Sequence, residues 1–214
     1  KAKNEKSWKL RFHTQTAGCS LTAQQPENNI ARTGFQALAA VLGGTQSLHT
    51  NAMDETLALP TEKSAEIALR TQQLIAYETG VANVVDPLGG SWYLEHLTDK
   101  IENDVENYFK EIESLGGVIP AIEDGFFQRE ISRSSSEYQS KVDNQERIVV
   151  GVNKFKENNE EIDIPLLDIN EDVGINQIKQ LQILKKNRSQ SNVNLILEEI
   201  TKVCKSGENL MPFI

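Results

Sequence analysis

The sequence predicts an α/β fold in which parallel strands are joined by helices. Short strand-like segments at residues 8–13, 46–49 and 81–85 alternate with helix-like segments at 26–41 and from 60 onward. Consecutive parallel strands need a crossover of a dozen or more residues, and a helix usually supplies it. The β-α-β-α-β order is therefore typical of a parallel sheet with helical crossovers.

Glycine, proline and capping residues mark the ends of the predicted helices. Gly43 and Gly44 end the first helix, because tandem glycines disfavour helical continuation. Thr61 follows Pro60 and is the predicted N-cap of the second helix, which ends at Gly80.

The second half of the chain is predicted to be mainly helical. A long helix at 91–115 carries apolar residues at helical spacing, namely Leu94, Leu97, Ile101, Val105, Tyr108, Ile112 and Leu115. A further helix is predicted at about 120–142, followed by a short strand at 148–152. Residues 153–172 are charged, show little periodicity and predict a linker, after which two amphipathic helices follow.

These elements divide the chain into three predicted regions. Residues 1–117 hold the alternating strands and helices, 118–152 a helix and a short strand that close this region, and 153–214 a linker with a helical extension. The chain begins without Met and ends on an apolar run, so we expect it to be part of a longer one.

Composition and charge argue against several classes of function. The chain has 214 residues and a formal net charge of −9, with both signs spread along it, which argues against nucleic-acid or membrane-surface binding. No apolar run approaches the roughly 20 residues that span a bilayer, and the polar start does not read as a signal peptide. Cys19 and Cys204 form no metal or redox pattern, so we expect a reducing, cytoplasmic compartment.

Polar side chains alternate along two of the predicted strands. Arg11, His13 and Gln15 fall on one face of the first strand, with Phe12 on the other, because strand side chains have a period of two. The second strand repeats the pattern, with three polar residues on one face and an apolar one opposite. These are Ser47, His49 and Asn51, with Leu48 opposite.

Such polar stripes are unusual, because a parallel strand is normally buried and apolar on both faces. Burying charged and polar side chains there costs several kcal/mol unless partners satisfy them. Two interpretations stay open: a ligand that runs along the strands supplies the partners, or the residues merely crowd the strand ends or face solvent.

Other candidate residues give weaker signals. Asp54 and Glu55 could make polar contacts after the second strand, but adjacent acids are usually solvated. Gly89-Gly90 could cradle a phosphate, but such a pair is more often a turn. His96 is expected to have a structural or surface role, and no His/Cys cluster has zinc spacing.

Several runs of residues resemble one family closely. They are residues 11–18 with 26–30, residues 43–51 continuing through Asp54-Glu55 to 58–61, residues 86–93, and residues 149–153. The first two resemble the late barrel segment of the methylmalonyl-CoA mutase family, whose members are adenosylcobalamin-dependent acyl-CoA mutases, and the other two resemble further segments of the same family. The resemblance covers nearly the whole chain.

The resemblance implies a fold and a reaction. The chain would be the C-terminal portion of a (β/α)8 TIM barrel with a mostly helical extension, and acyl-CoA would thread along the barrel axis. The implied reaction is a radical rearrangement of the acyl carbon skeleton that interconverts methylmalonyl-CoA and succinyl-CoA, with adenosylcobalamin as cofactor.

The resemblance also implies roles for individual residues. The substrate channel would be lined by Arg11, His13, Gln15, Gln46 and Ser47, of which Gln46 lies off the parity of its stripe. The cofactor would be contacted by Gly18, Asn51, Glu55 and Ala58. Gly18 would let the corrin ring approach, since glycine has no Cβ, and Asn51 and Glu55 would hold the adenosyl ribose. Thr56 stands where the family commonly has Ala.

Parts of the family pattern are missing from the chain. The cobalamin-ligating signature and the earlier barrel strands with the general-acid His are absent, so no catalytic or metal-ligating residue is assigned and the chain alone is expected to be inactive. Expected partners are acyl-CoA, a cobalamin-binding domain or small subunit, and further copies in a dimer or heterotetramer. Isobutyryl-CoA or another branched acyl-CoA as substrate, and a non-catalytic homologue used for subunit pairing, stay open.

Overall fold

The structure, a computed structural model, describes residues 2–156 and 164–214. These fall into two compact units, Lys1–Leu167 and Asp168–Ile214. The elements of the first unit are β1 (His13–Gln15), α1 (Asn28–Leu42), β2 (Ser47–His49), α2 (Glu62–Glu78), α3 (Trp92–Ser114), α4 (Val118–Glu123) and α5 (Phe126–Asp143). Those of the second are α6 (Asp172–Asn187) and α7 (Gln190–Ser206).

The first two strands pair as the sequence predicts. β1 and β2 run parallel, with α1 as the crossover between them and His13 opposite Ser47 in the register. Two backbone bonds extend the ladder, Gln46 N–H to Phe12 O at 3.1 Å and Thr16 N–H to His49 O at 3.1 Å. The expected parallel pairing is therefore confirmed for this pair of strands.

The first strand is displaced from its predicted position. It was predicted at residues 8–13 and lies at His13–Gln15. Residues 8–11 have no facing strand, and the chain turns there, with Trp8 N–H bonded to Glu5 O and Leu10 N–H to Trp8 O. The alternating residues before Phe12 therefore do not belong to the sheet, and Arg11 precedes it.

The predicted third strand is wrong. Residues Val81–Asn83 form a 3-10 turn that follows Gly80, whose φ is +74°. Val84 is extended, with φ −125° and ψ 151°, but it is not part of a sheet. A run of β-branched residues becomes a strand only where a neighbouring strand offers hydrogen-bond partners.

The second half is helical, with two corrections. The helix predicted at about 120–142 is two helices, α4 and α5, because Gly125 between them is left-handed at φ +75°. The strand predicted at 148–152 is a tight turn with one bridge, Val150 to Lys154. Asn153 stabilises this turn, since its side chain accepts from Val149 N–H at 2.7 Å and donates to Val142 O at 2.8 Å.

The core around the sheet lies between α1 and α2 and is unusually polar. Gly34 of α1 faces Thr71 of α2, and a Cβ at Gly34 would lie 3.8 Å from the Thr71 methyl carbon. Among the described residues, the largest fully buried side chains are all polar, namely Asn29, Thr33, Asp54 and Ser64. Three of them are held by hydrogen bonds that fix the loop after β2: Asn29 Nδ2 donates to Met53 O at 2.9 Å, and Ser64 Oγ donates to Asp54 Oδ2 at 2.7 Å. Among the described residues, Thr33 Oγ1 and Asp54 Oδ1 have no hydrogen-bond partner.

The second unit contains the two amphipathic helices that the sequence predicts, α6 and α7. Ser189 caps α7 by accepting from Asn192 N–H. The predicted linker falls partly on residues 157–163, which lie outside the described residues, and the predicted boundaries at 117 and 152 stay predictions. In the described part of the chain, no helix is both long enough and apolar enough to cross a membrane.

Candidate functional site

A chain of hydrogen bonds joins the carboxyl ends of the two strands. Thr16 follows β1 and Asn51 follows β2, and both side chains are buried. The Thr16 hydroxyl accepts from Asn51 N–H at 2.9 Å and donates to Asn51 Oδ1. Asn51 Nδ2 then donates to Glu55 Oε2. The exposed Glu55 carboxylate is thus held through Oε2, and within residues 2–156 and 164–214 no hydrogen bond to its Oε1 is seen.

Gly18 lies directly against this group. A Cβ built on Gly18 would lie 2.8 Å from Glu55 Oε1 and 3.5 Å from Asn51 Nδ2, so no larger side chain fits without moving Glu55. Gln36 of α1 holds the Gly18 turn, because its Oε1 accepts from Ala17 N–H and its Nε2 donates to Ser20 Oγ, both at 2.6 Å. Three of the four predicted cofactor residues therefore meet at one point.

Asp54 anchors the loop that carries Glu55. Its side chain is only 1% exposed, and its Oδ2 accepts from Thr61 N–H at 3.0 Å and from Ser64 Oγ at 2.7 Å. Thr61 is the N-cap of α2, as predicted, with its side chain accepting from Ser64 N–H. Of the two alternatives for Asp54, the polar contact after the second strand is therefore the one observed, because Asp54 ties the loop after β2 to the start of α2.

Ala58 lies in an adjacent cleft rather than against Gly18. The cleft has a volume of about 540 Å³ and is bordered by Ala58, Glu55 and His49 on one side and by α2 residues such as Ala68 on the other. It opens beside β2, next to the hydrogen-bonded group of Thr16, Asn51 and Glu55.

The polar face of the sheet contains three of the five predicted substrate residues. His13 and Ser47 are exposed and hydrogen-bonded to each other, with 2.7 Å between His13 Nδ1 and Ser47 Oγ. Gln15 is exposed on the same face, whereas Phe12 and Leu48 are half-buried on the other. The predicted alternation of faces is thus confirmed within β1 and β2, whereas Arg11 precedes the sheet and Asn51 is buried after β2.

Gln46 and Arg11 lie at the amino end of the sheet, away from Asn51 and Glu55. Gln46 Oε1 accepts from Phe12 N–H at 2.7 Å, and its Nε2 donates to Gly44 O at 2.8 Å. Its side chain therefore closes the start of the sheet. Arg11 is exposed just before it.

A polar group between α3 and α5 was missed by the sequence reasoning. The Tyr108 hydroxyl donates to Glu130 Oε2 at 2.9 Å, and Arg133 donates to the same oxygen. The bond from Tyr108, followed by the nearby Arg133, holds the pKa of the Glu130 carboxyl below its ordinary value. The only sequence signal was the three-residue spacing of Glu130 and Arg133, which is common on exposed helix faces.

Tyr108 and Glu130 line a second cleft, of about 900 Å³, together with Phe126, Phe127 and Cys19. Within residues 2–156 and 164–214, no three His, Cys, Asp or Glu side chains converge as a metal site would require. The candidate site is the hydrogen-bonded group of Thr16, Asn51 and Glu55 at the carboxyl ends of β1 and β2.

Comparison with known proteins identifies the family. The family described as "Methylmalonyl-CoA mutase" matches residues 1–214. The chain is 43% identical over 212 residues to the "2-hydroxyisobutanoyl-CoA mutase large subunit" of Aquincola tertiaricarbonis, covering 99% of this chain and 38% of that one. It is 44% identical to the "Methylmalonyl-CoA mutase" of Rhizobium meliloti (strain 1021), covering 97% of this chain and 29% of that one.

A mammalian relative matches equally well. The "Methylmalonyl-CoA mutase, mitochondrial" of Bos taurus is 44% identical over 207 residues, which are 96% of this chain and 28% of that one. The chain thus spans between a quarter and two fifths of the length of these relatives. The family match covers the whole chain, so this protein belongs to the methylmalonyl-CoA mutase family.

Proposed function

We propose that the chain is part of an adenosylcobalamin-dependent isomerase that interconverts methylmalonyl-CoA and succinyl-CoA. The observation that carries the proposal is the meeting of Gly18, Asn51 and Glu55 at the carboxyl ends of two parallel strands, beside a polar strand face. Relatives that are more than two fifths identical bear the name methylmalonyl-CoA mutase.

The two strands would be neighbours in a (β/α)8 barrel. Parallel pairing, the α1 crossover and the packing of α2 against α1 support this arrangement. In the described residues β2 pairs only with β1, so its other edge is available to a further strand. In barrels of this type the site lies at the carboxyl ends of the strands, which is where the polar group after β1 and β2 lies.

The residues present fit adenosylcobalamin. Glu55 offers a carboxylate oxygen to the ribose hydroxyls, as acidic residues do in other nucleotide sites. Asn51 orients that carboxylate through its Nδ2, and Gly18 leaves space that a Cβ would fill. Ala58 borders the adjacent cleft with a small apolar side chain. When bound, the cofactor supplies the radical that the rearrangement needs.

The polar strand face would bind the acyl-CoA. His13, Ser47 and Gln15 present hydrogen-bonding groups to one side of the sheet, where the amide groups of an extended CoA arm need partners. Arg11 is exposed at the amino end of this face, and Gln46 would act there by fixing the start of the sheet. Binding along several positions orients the substrate and excludes water around the reacting carbons.

A partner is expected to complete the site. Two relatives are named as large subunits, which supports a small subunit or a separate cobalamin-binding domain as partner, in a dimer or heterotetramer.

Both cysteines are free thiols, in keeping with a cytoplasmic location.

A second candidate is a mutase of the same family that acts on another branched acyl-CoA. The relative named 2-hydroxyisobutanoyl-CoA mutase large subunit is as similar as the methylmalonyl-CoA mutases, which favours keeping this alternative.

The test is a substrate panel. The full-length protein with its partner should be incubated with methylmalonyl-CoA, isobutyryl-CoA and 2-hydroxyisobutyryl-CoA, with and without adenosylcobalamin. We expect methylmalonyl-CoA to be converted to succinyl-CoA only when adenosylcobalamin is present. Turnover of another acyl-CoA alone would support the second candidate, and turnover without cofactor would contradict both.

A further inference from the structure

His49 occupies a position on the polar strand face that the site assigned so far does not use. It is the last residue of β2 and pairs in the register with Gln15. Paired residues of a parallel ladder project to the same side, so its ring lies on the face of His13, Ser47 and Gln15. Like them it is exposed.

The backbone and the ring of His49 differ in their hydrogen bonding. His49 O accepts from Thr16 N–H at 3.1 Å, which holds the end of β2 against the chain after β1. On the preceding rung, His13 Nδ1 and Ser47 Oγ satisfy each other at 2.7 Å. Among residues 2–156 and 164–214, by contrast, no hydrogen bond or ion pair involves the His49 ring.

Along the chain, His49 lies between Ser47 of the polar strand face and Asn51 of the candidate cofactor site. With a rise of roughly 3.3 Å per residue, its Cα lies about 6.6 Å beyond that of Ser47 and a similar distance before that of Asn51. It also borders the cleft shared by Glu55 and Ala58. A ligand that reaches from Ser47 towards the Asn51 and Glu55 group must therefore pass the imidazole.

We propose that His49 is a substrate-positioning residue whose ring donates a hydrogen bond to a carbonyl oxygen of acyl-CoA near its thioester end. This inference rests on the proposed function, because it takes acyl-CoA as the ligand of the polar face. An imidazole has one donor nitrogen in either neutral tautomer, and a buried carbonyl needs a donor. The carbonyl is either that of the thioester or that of the nearest pantetheine amide.

The test uses two variants of the full-length protein. His49→Phe keeps an aromatic ring but has no ring nitrogen. His49→Gln keeps an N–H donor at about the same distance from the backbone as the Nε2 of histidine. His96→Phe is the matched control, since His96 lies exposed on α3, away from the strands. Affinities for succinyl-CoA and for free CoA are measured by calorimetry without cobalamin, alongside KM, kcat and the thermal midpoint.

We expect His49→Phe to weaken succinyl-CoA binding roughly 3- to 10-fold, the loss of one hydrogen bond, with an unchanged thermal midpoint. His49→Gln should recover most of the affinity, and His96→Phe should match wild type. A loss seen with succinyl-CoA alone assigns the bond to the thioester carbonyl; a loss also seen with free CoA assigns it to the amide.

Two results would overturn the inference. One is wild-type affinity for succinyl-CoA in His49→Phe. The other is an equal loss in both His49 variants with a lowered thermal midpoint, which would show that the ring serves only packing. If the wild-type protein bound neither succinyl-CoA nor CoA, the proposed function would fail together with this inference. The wild-type measurement alone would show this, so the two kinds of failure are distinguishable.

Discussion

Replacing Gly18 with alanine tests the close approach at the candidate cofactor site. The added Cβ would lie 2.8 Å from Glu55 Oε1, about 0.6 Å inside the shortest ordinary contact of 3.4 Å. Gly18 does not have a left-handed backbone, so alanine itself fits the local conformation. The strain is relieved by moving the Glu55 carboxylate, which is the end of a flexible side chain.

The expected effect is therefore on binding rather than on folding. Moving Glu55 removes a charge-assisted hydrogen bond to the ribose, which is worth about 1.5–3 kcal/mol, or roughly 10- to 150-fold in Kd. Glycine-to-alanine changes stabilise by about 0.4–1 kcal/mol where the backbone permits, through the unfolded chain. This gain should offset the cost of moving Glu55, so the thermal midpoint should change little.

Titration of the full-length protein with adenosylcobalamin, followed by its visible absorbance, measures the effect. Gly34→Ala is the matched control, because its Cβ meets only the Thr71 methyl carbon, at 3.8 Å, inside α1. We expect this control to keep wild-type cofactor affinity and to gain up to about 1 kcal/mol of stability. Wild-type affinity in Gly18→Ala, or an equal loss in both variants, would refute the reasoning.

Other predictions concern folding, pH dependence and the polar face. Thr61→Ala should lower the free energy of unfolding by about 1 kcal/mol in chemical denaturation, because α2 loses its cap; an unchanged midpoint would contradict this. Tyr108→Phe should destabilise the protein more near pH 7 than near pH 3, measured by thermal unfolding at both. The Tyr108 hydroxyl lowers the pKa of Glu130, and stability gained from a lowered carboxyl pKa is present above the ordinary glutamate pKa of about 4.3 and lost as pH falls through the lowered one. Equal destabilisation at both pH values would rule out this linkage. Gln15→Ala should reduce turnover of the full-length enzyme without lowering its thermal midpoint, and full turnover in a stable variant would contradict a channel role. Phe12→Ala should do the reverse, at less than the roughly 3–5 kcal/mol of a fully buried phenylalanine, because Phe12 is only half-buried.

Periodicity and capping residues predicted the elements whose causes are local. Thr61 capped α2 as expected, and the stripe from Leu94 to Leu115 marked α3, since both signals act within one or two turns. The break at Gly125 was missed because a single glycine inside an amphipathic pattern is often tolerated in a helix.

The errors fall on segments whose structure depends on distant partners. Residues 8–11, 81–85 and 148–152 all have strand-like composition, yet none lies beside a strand that pairs with it. Strand composition describes a surface that fits a sheet, and the ladder itself needs another segment of the chain.

The site was predicted in part from the residues and in part from the resemblance. Alternation alone placed His13, Gln15 and Ser47 on one face, and the structure confirms that face. The meeting of Gly18 with Glu55 followed only from the family, because the two are separated by 37 positions and by α1. Nothing in the adjacent pair Asp54-Glu55 showed that one acid is buried and the other exposed.

The central claim is that Glu55 holds the adenosyl ribose of the cofactor, and one comparison tests it most directly. The full-length protein and its Glu55→Gln variant are each titrated with adenosylcobalamin and with hydroxocobalamin, which lacks the adenosyl group. We predict that the variant binds adenosylcobalamin about 10-fold more weakly or worse, because a charged acceptor is lost, while its affinity for hydroxocobalamin is unchanged. Equal affinities of variant and wild type for adenosylcobalamin, or an equal loss for both cobalamins, would contradict the claim.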